Sequence, residues 1–506
     1  MRPHGIAYAT MIAASLSSCA ADEPVAPRLG VQEVDSPRAA ADGAAPRLQD
    51  PGPDVDGGTR ADGAAPDAAR PPTYKHYDIN HVLSTGQSDS VANGASPYLT
   101  KAQPFHNLSF DVGVMTGRNG PNASCDGDGC KEYEEPKGFI PLVEGDRFLG
   151  YAVETMSSGF ANQATVLASA YFAEVGLPAV THDILVSLHG RSGNTYWCLR
   201  KGYCNYKPGY LSPFAEALMQ VESAKAIAAS QGKTYVVRAV TTIHGGSDHY
   251  VRERELSFIE RNDGQGVVGN YAEALMEWQR DYESDVRAIT GQSEAIPLFV
   301  SQFGSWTDVE VSRIPVRQME AHVKAPGKVI VVTPNYPFVH YQDCLHYTNH
   351  SQRRLGAYFA KAYQKTVIEG VPFEPLRPLG VTREGNVLTV KYHVPVPPLA
   401  IDTTRVVDPG NFGFTYVDSA GSTSIAKVEL AGADSVRVIL SKEPTGTDRK
   451  LRYALNAAVP HVCPGPTEGA RGNLRDSDAT PGYHQDADGK PYELYNWAVH
   501  SEIDVP

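Results

Sequence analysis

The sequence predicts an α/β protein: a three-layer α/β/α sandwich on a mainly parallel sheet, followed by a small C-terminal β domain. Three observations carry this. Between residues 162 and 367, short apolar runs alternate with helical patterns, as in a parallel sheet with helices on both faces. The apolar runs are almost continuous, as in Asp183-Ile-Leu-Val-Ser-Leu188, which suits strands buried on both sides. From about Pro372 the helical patterns stop, and residues 386–394 alternate with period two, as antiparallel strands do.

The first strand is the apolar run around Val82 and Leu83, which opens into Gly86-Gln87-Ser88. A small-residue turn there presents a hydroxyl at the C-terminal edge of the sheet, where ligands bind in open α/β folds. Residues 91–151 read as a long loop-rich section. A helix is expected over 162–175, then the strand 183–188, which opens into His189-Gly190-Arg191-Ser192-Gly193-Asn194. The helix 213–231 has Pro213 near its start and Gly232 just past its end. The strand 234–243 opens into His244-Gly245-Gly246-Ser247-Asp248. Helices over 271–289, 316–323 and 351–367 and strands over 296–301 and 328–333 complete the layers. Less regular alternation over 423–429 and 435–440 adds strands to the β domain. The stretch 471–500 is polar and turn-rich but carries Tyr492, Tyr495 and Trp497, and is expected to fold back on the first domain.

The chain's start reads as an export signal over residues 1–19. Arg2 precedes an apolar run too short to span a bilayer permanently. Leu16-Ser17-Ser18-Cys19 resembles a bacterial lipobox, with Cys19 as the lipidated residue. Ala20 after it leans towards an outer-membrane or cell-surface location, simple secretion being the alternative. Residues 20–72 are rich in Ala, Pro and Asp and poor in aromatics, as in a disordered tether. The folded part is expected as a catalytic domain over 73–370 and a β domain over 371–506. The only membrane partner expected is through the N-terminal lipid. Formal net charge is −13 with no basic cluster, which argues against nucleic acid. Without Cys19, six of the seven cysteines remain. Proximity suggests Cys125–Cys130 and Cys198–Cys204, leaving Cys344–Cys463, although six cysteines allow fifteen connectivities. No ligand spacing implies a metal.

A nucleophilic serine needs a base, an orienting group for that base, and donors for the oxyanion. Asp343-Cys344-Leu345-His346 follows the last strand of the sheet, so both side chains can meet Ser88. His346 is the expected base and Asp343 its orienting carboxylate. The N–H of Ser88, a glycine of the 189–194 loop and a side chain of the 244–248 loop are the expected oxyanion donors. A second Gly291-Gln292-Ser293 precedes a strand and so falls at the wrong edge.

Together these blocks resemble the SGNH hydrolases, and among them the carbohydrate esterases related to sialate O-acetylesterases. Gly86-Gln87-Ser88, Ser192-Gly193-Asn194-Thr195, Ile243-His244-Gly245-Gly246-Ser247-Asp248 and Asp343-x-x-His346 stand in the order of that group's four blocks. There are departures: Asp89 replaces the usual Asn, His244 the usual Gln, and Gly246 the usual Glu. The resemblance implies a flavodoxin-like fold and a Ser-His-Asp acyl-enzyme mechanism without cofactor. It implies an O-acetylated oligo- or polysaccharide as substrate, and Gly193 (Gly190 being the alternative) and the His244 ring as oxyanion donors. Gln87 and Asp89 are expected substrate contacts, and His189, Arg191, Asn194 and Asp248 either contact substrate or hold their loops in place. Tyr196, Trp197 and Trp306 either stack on sugar rings or serve packing. A lipase or non-sugar esterase on the same fold, and a non-catalytic carbohydrate-binding lipoprotein, are the alternatives.

Overall fold

The computed structural model describes residues 74–116, 133–145, 152–202, 211–457 and 463–506. The expected export signal, tether, Cys19 lipidation and Cys125–Cys130 pair lie outside these residues. Cys198 is disulfide-bonded, but its expected partner, Cys204, also lies outside them. Residues 70–506 form one compact unit.

Seven strands build the central sheet: β1 (Ile79–Gly86), β2 (Leu108–Phe110), β3 (Phe139–Pro141), β4 (Ile184–Leu188), β5 (Tyr235–Ile243), β6 (Leu298–Gln302) and β7 (Val329–Pro334). Their order is β3-β2-β4-β1-β5-β6-β7. All neighbours are parallel except β2 and β3. Without those two edge strands the order is second, first, third, fourth, fifth, which is the flavodoxin-like arrangement. The chain reverses its direction of strand addition between β1 and β5. Such a switch point leaves a crevice at the C-terminal strand ends, and β1 ends there at Gly86. The short edge pair β2 and β3 falls in the section read from sequence as loop, because three-residue strands carry too little alternation to register.

The helices are α1 (Met156–Glu174), α2 (Tyr196–Leu199), α3 (Pro213–Ser230), α4 (Gly246–Tyr250), α5 (Tyr271–Thr290), α6 (Ile314–Lys324) and α7 (Asn349–Tyr363). One core holds α1 and α7 against the sheet, and a second holds α3, α5 and α6. Helix α1 starts six residues before the expected position (156 against 162). Thr155 caps it by accepting from the Ser157 N–H at 3.1 Å. Its first turn is buried although made of small and polar residues, because α7 crosses it closely. A Cβ on Gly159 would fall 2.3 Å from the Arg353 carbonyl oxygen, and one on Gly356 2.4 Å from that of Met156. Ser212 caps α3, accepting from the Ala215 N–H at 3.2 Å, and Pro213 takes the first helical position.

Beyond α7 the chain is antiparallel. Strands β8 (Arg377–Glu384) and β9 (Val387–His393) join Ile425–Leu430 and Ser435–Leu440 in a four-stranded sheet. A three-stranded sheet pairs Phe414–Val417, Lys450–Tyr453 and Ser501–Asp504. Their apolar faces share the core of α1 and α7. The C-terminal segment lies on α7: the Tyr358 hydroxyl donates to the Tyr495 carbonyl at 2.9 Å, and Lys361 donates to Asn496 Oδ1 at 3.0 Å. Trp497 is fully buried, its ring 6.2 Å from that of Tyr336.

Candidate active site

Gly86 makes the turn after β1 possible. Its φ is +132°, and a Cβ would sit 2.4 Å from the Ile243 carbonyl oxygen, so only glycine fits. The turn closes through Ser90, whose N–H and hydroxyl both donate to the Gln87 carbonyl at 3.0 and 2.7 Å. The Asn93 N–H donates to the Ser88 carbonyl at 3.0 Å. Ser88 thus stands at the switch point, 7% exposed, and among the described residues its hydroxyl and its N–H have no hydrogen-bond partner.

The 338–348 loop brings the base. A bridge between His340 and Tyr347 folds it back on itself, and the Tyr341 N–H donates to the His346 carbonyl at 2.6 Å. Within the tip, Asp343 Oδ1 accepts from the N–H groups of Leu345 and His346, both at 3.0 Å. Such a local turn holds the carboxylate. Its other oxygen, Oδ2, accepts from His346 Nδ1 at 2.6 Å. That bond assigns the imidazole proton to Nδ1 and leaves Nε2 as a base. Burial pushes Asp343 up, but the bonds from His346 and from the two backbone N–H groups outweigh it, so its carboxyl lies below the usual range.

The two loops touch. A Cβ on Gly94 would come within 3.2 Å of His346 Cβ. Gln352 Nε2 donates to the Asp89 carbonyl at 2.8 Å, and the Tyr347 N–H donates to the Asp89 carboxylate. Ser88 and His346 do not share a direct hydrogen bond; unliganded sites commonly tighten such contacts only with substrate. The disulfide Cys344–Cys463 ties the tip to the β region. Replacing both cysteines by serine is expected to cost about 2–5 kcal/mol of stability and to lower kcat more than KM, since the loop holding the base loosens. Urea unfolding, with turnover measured in denaturant-free buffer, checks both.

The remaining expected residues split into two sets. Gly190 lies under the nucleophile turn: a Cβ would fall 2.3 Å from Ser90 Oγ and 2.8 Å from the Gly86 carbonyl oxygen. The Arg191 N–H donates to that same carbonyl at 2.9 Å. Gly193 adopts φ +74° beside open space, and Asn93 Nδ2 donates to neighbouring Ser192 Oγ at 2.8 Å. Among the described residues the N–H groups of Gly190 and Gly193 donate to nothing, so both are free to face an oxyanion.

The second set serves as internal clamps. Gln87 Oε1 accepts from the Ser247 N–H at 2.8 Å, joining the ends of β1 and β5. Its amide lies beside Gly246, where a Cβ would fall 2.8 Å from Gln87 Nε2, so a larger residue there would require the Gln87 side chain to move. The buried Arg191 guanidinium pairs with Glu216 and donates to the Gly190 carbonyl at 2.9 Å. His244 spends both ring nitrogens, on the Tyr271 hydroxyl at 2.6 Å and the Asn194 carbonyl at 3.1 Å. An oxyanion could reach that ring only by displacing one of them. Asp248 Oδ2 accepts from the Tyr196 N–H at 2.8 Å, and burial raises its carboxyl to about 8. Tyr196 and Trp306 are fully buried and serve packing rather than stacking on sugar. Gln292 Oε1 accepts from the Val237 N–H at 2.9 Å, which places the second Gly-Gln-Ser early along β5, away from the crevice.

Asp89 is the acidic neighbour that sequence reading placed among substrate contacts. It is 6% exposed, and its Oδ1 has no partner. Burial raises its carboxyl to about 7, against a smaller pull from the His346 charge. A carboxyl raised on folding gives stability that is present at low pH and lost as pH rises through the folded value. Asp89→Asn is therefore expected to stabilise the protein at pH 8 and leave it unchanged at pH 4. Urea midpoints at the two pH values check this.

No family model and no curated protein matches the chain. Among solved structures it is similar to a carbohydrate acetylesterase from Xanthomonas citri, at 12% identity over 84% of this chain and 80% of that one, with a TM-score of 0.48. It is also similar to a protein from Arabidopsis thaliana, at 14% identity over 57% and 98%, TM-score 0.34. A third is the aryl esterase of M. smegmatis, at 10% identity over 56% and 97%, TM-score 0.28.

Proposed function

We propose that the chain is a serine esterase of the SGNH type that removes O-acetyl groups from carbohydrates. The observation that carries the catalytic part is the Asp343–His346 pair, held against the turn that presents Ser88 at the sheet's switch point. His346 Nε2 takes the Ser88 proton as Oγ attacks the ester carbonyl, and Asp343 stabilises the imidazolium. The N–H of Ser88 and a glycine N–H of the 190–193 loop receive the oxyanion. The imidazolium returns its proton to the leaving sugar oxygen. Water, deprotonated by the same nitrogen, then releases acetate from the acyl-serine. His244 acts as a brace in this reading, and Arg191, Gln87 and Asp248 hold the strand-end loops.

The sugar and the acetyl group rest on the resemblance of the four sequence blocks to the carbohydrate-esterase group. Turnover of p-nitrophenyl acetate, butyrate and octanoate tests the acyl preference. The expected order is acetate above butyrate, with octanoate slowest. A preference for octanoate replaces the acetyl reading with the lipase one, and no turnover of any ester removes the catalytic reading.

A further inference from the structure

A second concavity lies between the α1–α7 layer and the β region, with a volume of about 550 Å3. That is within the range of small-molecule sites, roughly 300–1,000 Å3. It does not belong to the triad. Lys361, on its wall, lies near the far end of α7 from His346, roughly 18 Å along the helix at 1.5 Å per residue.

Three features of its lining point to one ligand chemistry. The first is an apolar wall that includes Tyr171 and Phe373, giving aromatic surface on which a flat apolar face can lie. The second is Gln364. It opens a π-helical turn, Gln364–Ile368, a rare geometry frequent at functional sites. Its side chain is 6% exposed, and its Oε1 has no hydrogen-bond partner. A buried amide oxygen without a partner is costly; it is closed to solvent, so a ligand hydroxyl in the cavity would reach it once the Gln364 amide turns towards the cavity.

The third feature is charge. Lys361 pairs with Asp478 at 2.7 Å, Lys365 with Glu369 at 2.7 Å, and Glu374 with Arg377 at 2.7 Å. Every lysine on the wall is already matched, and Glu174 is left over as an exposed carboxylate. The cavity offers no spare cation to an anionic ligand. Aromatic surface, an amide oxygen without a donor and a lining with no spare cation together suit a neutral polyhydroxylated ligand.

We propose that this cavity is a non-catalytic binding site for a neutral saccharide, which holds a polysaccharide to the protein while Ser88 acts elsewhere. The proposal deepens the carbohydrate-esterase reading and rests on it for the choice of polymer. The test is calorimetric titration of the full chain with xylohexaose, cellohexaose and mannohexaose, none of which carries an ester. Tyr171→Ala and Gln364→Leu are titrated alongside. Melting midpoints check folding, and p-nitrophenyl acetate turnover reads the catalytic site separately.

At least one neutral hexasaccharide is expected to bind, and each variant is expected to weaken it by about tenfold or more. Acetate-ester turnover is expected to stay unchanged in both. Binding of none of the three, or equal binding by wild type and both folded variants, overturns the proposal. Ester turnover without saccharide binding removes this site alone. Saccharide binding that depends on Tyr171 and Gln364, without turnover of any ester, supports this site and removes the esterase reading.

Discussion

Ser88→Ala is expected to leave the fold intact and to lower kcat for ester hydrolysis by roughly 10^4–10^6-fold, the range seen when a triad nucleophile is removed. The two halves of that expectation have separate causes. Stability is spared because the Ser88 hydroxyl has no partner among the described residues. The turn is set by Gly86, by the Ser90 bonds to the Gln87 carbonyl and by the Gln87 clamp on Ser247, none of which the substitution touches. Activity is lost because the attacking atom is gone. KM is expected to change little, since the rest of the crevice remains. Ser293→Ala, in the other Gly-Gln-Ser, is expected to behave as wild type.

Asp343→Asn is the second large effect, a fall in kcat of about 10^2–10^4-fold with little change in KM. Asp343 uses Oδ1 to accept two backbone N–H groups and Oδ2 to accept from His346 Nδ1. An asparagine that keeps its oxygen on the backbone turns its NH2 towards the imidazole. The ring then places its proton on Nε2, the nitrogen that must accept from Ser88. Asp343 also gives the pair its acid tolerance. A carboxyl lowered on folding contributes stability above its unfolded value, which is lost as pH falls through the folded value. Because the Asp343 carboxyl lies below the usual range, it is expected to stay ionised to lower pH than an ordinary carboxylate. A pH profile of kcat for wild type and Asp343→Asn separates this role from simple loss of folding, which circular dichroism reports.

The layered fold was legible because its central strands are continuous apolar runs. Val82 and Leu83, the 236–240 stretch (apolar but for Arg238) and 329–332 are buried on both faces, so each stands out without its partners. Edge strands β2 and β3 were not legible: three residues carry no period. The start of α1 was missed for a different reason. Ser157, Ser158 and Gly159 look like loop residues, but contact with α7 buries them, and that contact is a tertiary fact.

The same division runs through the site. Glycines at strand ends could be picked out, since the backbones pack too closely there for a Cβ, as at Gly86 and Gly190. What the polar side chains beside them do could not be read. Arg191, His244 and Asp248 have the chemistry of substrate contacts, yet their partners are Glu216, Tyr271 and the Tyr196 N–H. Each partner lies on a separate element, so direction is decided by packing rather than by residue type.

The central claim is that Ser88 is a nucleophile activated by His346. The most direct measurement is treatment of the folded chain with a fluorophosphonate, in which serine Oγ attacks phosphorus and fluoride leaves. Intact mass and peptide mapping then locate the adduct. One equivalent on Ser88, absent from His346→Ala, is the expected result. A folded chain that takes no label, or a label on another serine, contradicts it.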